Sequence, residues 1–147
     1  MTAPHPEGNG AVCAITDALS ESCCNPYDID FIMAHGTATP DNDKAEIAAF
    51  KKCFSTPPLF TSLKGAIGHT LAASGALEVV YGIESLQRQQ ILPTVNFTSL
   101  DEDLLAPVTK LHPYKAHTFL KTAFGFGGNN GALVVSSVKK SDLKGAQ

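Results

Sequence analysis

Apolar residues recur at three- and four-residue steps in three stretches of the chain, with short apolar runs between them. Val12, Ile15 and Leu19 make one stripe and predict a helix over residues 9–20. Residues 21–27 read as a turn, and Ile29 to Ala34 as a short strand interrupted only by Asp30. A second helix is expected over 43–54, with Ile47, Phe50 and Phe54 on one face, Asp43 and Glu46 spaced as a capping box, and Pro57 and Pro58 as the stop. Leu59 to Leu63 is the next strand, and Lys64 to Thr70 a tight turn of small residues. The third helix, over 75–89, carries Ala76, Leu77, Val79, Val80, Ile83 and Leu86 and is apolar nearly all round, which predicts full burial. Ile91 to Phe97 leads into an extended loop around Pro93. Strands follow at 107–112, 117–124 and 131–138, the last two flanking a glycine-rich turn. The opening residues are dense in helix breakers, and the tail 139–147 is polar and expected to fray.

This order, αβαβα and then strands, indicates an α/β layered domain whose parallel sheet ends in an antiparallel hairpin. The pattern holds no internal repeat and no domain boundary. With 147 residues, 44% hydrophobic and 17% charged, the chain has an ordinary globular composition and length for one core. A net charge of −3 argues against non-specific binding to nucleic acid or anionic lipid. No apolar run approaches the roughly 20 residues of a membrane helix. The N-terminus lacks the basic and apolar segments of a signal peptide, so a cytoplasmic location is expected. Cys13, Cys23, Cys24 and Cys53 match no zinc-ligand spacing and read as reduced structural thiols; no metal site is expected from them.

Three places concentrate unusual residues where strands end. In His35-Gly-Thr-Ala-Thr-Pro-Asp-Asn-Asp43, glycine lets the backbone turn, and two threonines two apart can present hydroxyls to a polar ligand. Sites in open α/β sheets lie at such carboxyl ends. In Lys64-Gly-Ala-Ile-Gly-His69-Thr70, small residues permit close approach of a ligand. An imidazole near a helix N-terminus is biased toward its neutral form and can donate to a developing oxyanion. In Phe124-Gly-Phe-Gly-Gly-Asn-Asn-Gly131, many backbone N–H groups are open to an oxyanion or phosphate. This is neither a P-loop nor a dinucleotide fingerprint, because a strand follows it. Each also reads as plain structure: a satisfied histidine in a turn, a surface lysine beside a histidine before a helix, and a hairpin with two packed aromatics.

Taken in order, His-Gly-Thr-x-Thr-Pro, Lys-x-x-x-Gly-His and Phe-Gly-Phe-Gly-Gly resemble the C-terminal half of β-ketoacyl synthases. The resemblance runs from Met1 to about Val138, leaving 139–147 as a tail. It implies one half of a thiolase-like fold and a decarboxylative Claisen condensation of acyl and malonyl thioesters, in fatty acid or polyketide-type synthesis. It implies that His35 and His69 hydrogen-bond the thioester carbonyl as carbon dioxide leaves, each worth about 2.7–4 kcal/mol in such a role. Lys64 matches a lysine that orients His69 and tunes local charge. Thr37 and Thr39 match residues that hold the phosphopantetheine arm of acyl carrier protein, the substrate carrier; no tightly bound cofactor is implied. The backbone N–H of Phe126 matches an oxyanion donor, its ring a gate to the acyl pocket, and Phe124, Gly127 and Gly128 complete that motif. Glu78 matches a glutamate beside the lysine and, in some members, a bound cation.

Two departures matter. Lys121-Thr122-Ala123 stands where many members carry a small polar Asn-Ser pair that helps hold the cation. The Lys121 ammonium is expected to replace that cation beside Glu78. The nucleophilic cysteine is the second departure. The family carries it in the N-terminal half, well before the histidine matched by His35, and none of the four cysteines here has its strand-to-helix setting. The chain therefore reads as a synthase C-terminal domain incomplete at its N-terminus and lacking its first strand, which is expected to lie centrally in the sheet. The implied partners are acyl carrier protein and an N-terminal half, with homodimerisation when complete. Three origins fit: a fragment, half of a split enzyme, or a non-catalytic remnant that binds acyl carrier protein or acyl chains. An open sheet without its middle strand predicts poor stability for the chain alone.

Overall fold

The computed structural model describes residues 4–137. The expected polar tail and the end of the last predicted strand, Val138, lie outside the described residues. The elements are helix α1 (Asn9–Glu21), strand β1 (Phe31–Met33), helix α2 (Pro40–Cys53), strand β2 (Leu59–Thr61), a short helix α3 (Lys64–Ile67) and helix α4 (Ser74–Arg88). Strands β3 (Gln90–Ile91), β4 (His112–Pro113), β5 (Thr118–Phe124) and β6 (Asn130–Ser136) follow.

One four-stranded sheet, ordered β2-β1-β5-β6, carries the fold. β1 runs parallel to β2 and to β5, and β5 pairs antiparallel with β6. Strand alternation sorts the core into two layers. Ile32 and Leu120 face α1 and α2, joining Ile15, Leu19, Phe50 and Phe54. Phe31, Met33 and Phe119 face the other way, with Leu86 of α4 and Ile91. Phe31 and Phe119, register partners on β1 and β5, stack with ring centroids 5.2 Å apart. Helix α4 lies on them through Gly82, where a Cβ would fall 2.3 Å from the Phe119 ring. Asp30 does not merely interrupt a strand; its carboxylate accepts the N–H groups of His117 and Thr118, fixing the start of β5.

Several expectations are corrected. The sheet has no central gap, because β1 pairs directly with β5 from Phe31 to Met33. A missing strand in the middle is excluded, and with it the instability argued from unpaired central donors. α2 begins at Pro40 rather than residue 43, since proline suits the first helical position after Thr39. The 107–112 strand shrinks to His112–Pro113, paired with β3. Pro107 has no N–H to donate, and Val108 instead bridges two segments distant in sequence, donating to Phe60 O (2.8 Å) and accepting from Thr94 N–H (2.7 Å). The turn expected over 64–70 contains the short helix α3.

The largest correction concerns α4. Its face toward the sheet carries Ser74, Glu78, Gly82, Ser85 and Leu86, while Leu77, Val80, Tyr81 and Ile83 are exposed, Val80 by 62%. The helix is apolar outside and largely polar inside, the reverse of an ordinary surface helix.

Candidate active site

The first histidine is held from below by a carboxylate. β1 ends at Met33, and Ala34 continues the parallel ladder with its N–H on Thr61 O at 2.8 Å. At Gly36 the backbone turns at φ 47°, and a Cβ would come within 2.5 Å of Ser62. The N–H groups of His35 and Gly36 both point at Glu46 of α2, at 2.8 Å to Oε1 and 2.9 Å to Oε2. The Thr122 hydroxyl donates to Glu46 Oε1 (2.7 Å) and accepts from His35 N–H (3.1 Å). Glu46 is therefore no capping-box residue. It is a buried clamp on the His35 turn, and α2 starts instead on Pro40 at its first position, with the Thr39 carbonyl accepting the first helical N–H, that of Asp43. Burial pushes the Glu46 carboxyl up, and these donors together with Lys121 oppose the shift.

The His35 ring is buried between His69 and Phe124. Both ring centroids lie 5.6 Å away in edge-to-face arrangements. Burial first, then the ammonium groups of Lys64 and Lys121 and the His69 ring, lower the His35 pKa to about 3. His35 is thus a neutral imidazole throughout the physiological range.

His69 reaches the same spot from the turn after α3. Its Nδ1 accepts the Leu71 N–H at 3.1 Å and lies 3.2 Å from Ser74 Oγ. A backbone N–H can only donate, so in the neutral ring the proton sits on Nε2, which is left as a donor.

Behind the histidines, Glu78 of α4 bridges two lysines. Lys64 Nζ lies 2.7 Å from Oε1 and Lys121 Nζ 2.7 Å from Oε2, with all three side chains at most 6% exposed. The Lys121 contact is an ion pair off the hydrogen-bonding directions of Oε2. Lys64 also donates to the His35 carbonyl. Its partner among the histidines is thus His35, where the orienting role was expected toward His69. Thr37 and Thr39 join hydroxyls at 3.0 Å. Phe126, Gly127 and Gly128 form the turn after β5, with Gly127 and Gly128 at φ 81° and 83° and the Phe126 ring 78% exposed. A cavity of about 560 Å³ opens beside Thr37, Lys64 and His69, over an apolar floor of Ile47, Phe50 and Leu104.

Sequence reasoning missed Glu46, Ser74 and Ser62. Glu46 left a trace: it lies four residues before Phe50, a charge within the apolar stripe of α2. Ser74 and Ser62 carry no such sign.

Residues 1–98 match the family described as Beta-ketoacyl synthase, C-terminal domain. The chain is 37% identical over 143 residues to 3-oxoacyl-[acyl-carrier-protein] synthase 2 of Coxiella burnetii, covering 94% of this chain and 34% of that protein. It is 35% identical over 137 residues to 3-oxoacyl-[acyl-carrier-protein] synthase 1 of Escherichia coli, covering 91% and 33%. Among solved structures, a β-ketoacyl synthase from Burkholderia phymatum superposes with a TM-score of 0.87 at 33% identity, over 95% of this chain and 34% of that one. A type II polyketide ketosynthase, solved with its acyl-carrier protein and bound to a hexaketide, superposes at 0.89 with 30% identity, over 95% and 35%. The chain thus spans about a third of the length of these relatives. With its fold and sequence both aligned to their C-terminal part, this chain belongs to the β-ketoacyl synthase family.

Proposed function

We propose that residues 1–138 form the C-terminal unit of a 3-oxoacyl-acyl carrier protein synthase and supply its decarboxylating half-site. The observation that carries the reading is the edge-to-face meeting of His35 and His69, 34 residues apart in sequence, with ring centroids 5.6 Å apart. The His35 ring, held neutral by its burial, and the His69 ring, with Nε2 left as a donor, are suited to donate hydrogen bonds to one thioester oxygen. When a malonyl thioester loses carbon dioxide, the electron pair of the breaking C–C bond passes onto that carbonyl as an enolate. Donors fixed beforehand stabilise the new charge without reorganisation. The enolate carbon then attacks an acyl thioester on a cysteine supplied by another polypeptide segment, and the cysteine sulfur leaves as thiolate. In this reading the Phe126 N–H, in the turn of Gly127 and Gly128, holds the oxyanion of that second step, and the Phe126 ring gates the acyl pocket. Thr37 and Thr39 steady the phosphopantetheine arm, beside a cavity of ligand size. Lys64 and Glu78 fix the His35 turn and its charge, and Phe124 packs on the His35 ring.

The partners are acyl carrier protein and the cysteine-bearing half of a synthase, with homodimerisation of the complete enzyme in the cytoplasm. The reversed amphipathicity of α4 supports the second partner. Leu77, Val80, Tyr81 and Ile83 make an apolar face of the kind a partner covers. The test is release of carbon dioxide from malonyl-acyl carrier protein by the full chain, with and without a cysteine-bearing half from a related synthase. Turnover that needs both and falls on His35→Gln and His69→Gln supports the reading. A chain that binds acyl carrier protein but never turns over in either mixture would make it a binding remnant.

A further inference from the structure

Four oxygens converge on one side-chain nitrogen at the centre of the sheet. Lys121 Nζ lies 2.7 Å from Glu78 Oε2, 3.3 Å from the Ala34 carbonyl and 3.4 Å from that of Met33, and it donates to the Thr122 carbonyl. Lys121 is 3% exposed and Glu78 1%. Backbone carbonyls and a carboxylate gathered around one point are the ligand set with which proteins hold hard cations. The cation that the family resemblance implies beside Glu78 does not fit this chain, because the ammonium already stands where the oxygens meet.

We propose that Lys121 is a tethered cation that replaces a bound metal ion and makes the site independent of sodium or potassium. The ammonium form is the one the surroundings accept. All four neighbours are acceptors, so a neutral amine would turn its lone pair on one of them. Burial pushes the Lys121 pKa down, and the Glu78 carboxylate acts against that. The buried charges also pair. Lys64 and Lys121 share Glu78, and Glu46 brings a second carboxylate to the same region. Lys121 and Lys64 hold consecutive carbonyls, those of Ala34 and His35, and so pin the peptide that presents the His35 ring. A covalently attached charge cannot dissociate, so that pinning persists whatever ions surround the protein.

The tethered cation does not depend on the condensing reaction, and its readout is stability alone. The full chain, in the assembly in which it purifies, is melted in sodium, potassium and choline chloride at equal ionic strength. The native protein is expected to melt at one temperature in all three. Lys121→Ser removes the ammonium but keeps the oxygens; its Tm is expected to fall by about 5 °C or more in choline and to recover, saturably, in sodium or potassium. Lys121→Met fills the space with an apolar stem and is expected to lose stability without recovery. If Lys121→Ser does not fold in choline, the yield of folded protein in sodium or potassium becomes the readout. A cation-specific rise in the native protein overturns the proposal, as does a Lys121→Ser variant that neither metal ion rescues, or a Lys121→Met variant rescued equally.

Discussion

Replacing Glu46 by glutamine tests whether this carboxylate builds the His35 turn. Its Oε1 side faces the His35 N–H at 2.8 Å and the Thr122 hydroxyl at 2.7 Å, and its Oε2 side faces the Gly36 N–H at 2.9 Å. Glutamine keeps the shape but turns one oxygen into an NH2 group. Whichever side takes the nitrogen, it confronts a backbone N–H, and on the cheaper, Oε2 side that is the Gly36 N–H, which loses its acceptor. Each such group costs about 1–3 kcal/mol. Against this stands the relief of desolvation, the same burial that pushes the Glu46 carboxyl up. Three donors and the Lys121 ammonium oppose that penalty without cancelling it, so the relief offsets part of the cost of the orphaned donor. The expected net loss is about 1–3 kcal/mol, a roughly 5- to 150-fold shift in the unfolding equilibrium. Denaturant unfolding of the full chain, in its native assembly, measures it. Amide hydrogen exchange at His35 and Gly36 should accelerate in the variant beyond the change at Leu120, which lies elsewhere in the core. A stability within about 0.5 kcal/mol of the native protein, with unchanged exchange at those amides, would refute the clamp.

Three further outcomes follow from the same geometry. His35 should show no protonation in an NMR titration until pH approaches about 3. Its folded pKa lies below the unfolded value, so its contribution to stability is complete above about pH 6.5 and is lost as pH falls toward 3, at up to about 1.4 kcal/mol per pH unit. Glu46, whose carboxyl is raised, contributes with the opposite sign, losing stability as pH rises, so the difference between native and His35→Gln curves isolates the histidine; parallel curves would count against a depressed His35. Gly82→Ala should destabilise by about 1–3 kcal/mol through overpacking, because the new Cβ meets the fully buried Phe119 ring at 2.3 Å; a neutral substitution in denaturant melts would mean that α4 does not sit this close. Val80→Lys should change the chain's own stability little, since Val80 is 62% exposed, but should abolish association with a cysteine-bearing half in sedimentation; unchanged association would remove α4 from that interface.

The sequence alone was enough for the three long helices, the strands leading to His35 and Lys64, the closing hairpin and the family. Those features depend on local periodicity and on residues adjacent in the chain, which a linear reading can weigh. The register of β1 against β5 was beyond it. That pairing joins segments 88 residues apart, and it placed beside one another two strands expected to flank a third. The family resemblance placed Glu78 beside Lys64 and Lys121, but the partners of Glu46 were hidden for the same reason. Glu46 suited a local cap by spacing, yet its donors come from a turn 10 and 11 residues away and from a strand 76 residues away. The resemblance assigned Lys64 to orienting His69, and the fold handed it to the His35 carbonyl. The apolar composition of α4 was legible, but which side faces the sheet was decided by Gly82 meeting Phe119 and by Glu78 meeting two lysines. Hydrophobic pattern selects elements because burial is cheap to encode locally. Buried charge selects partners across the chain, because an unpaired ion in a low-dielectric core costs far more than the path that brings its partner to it.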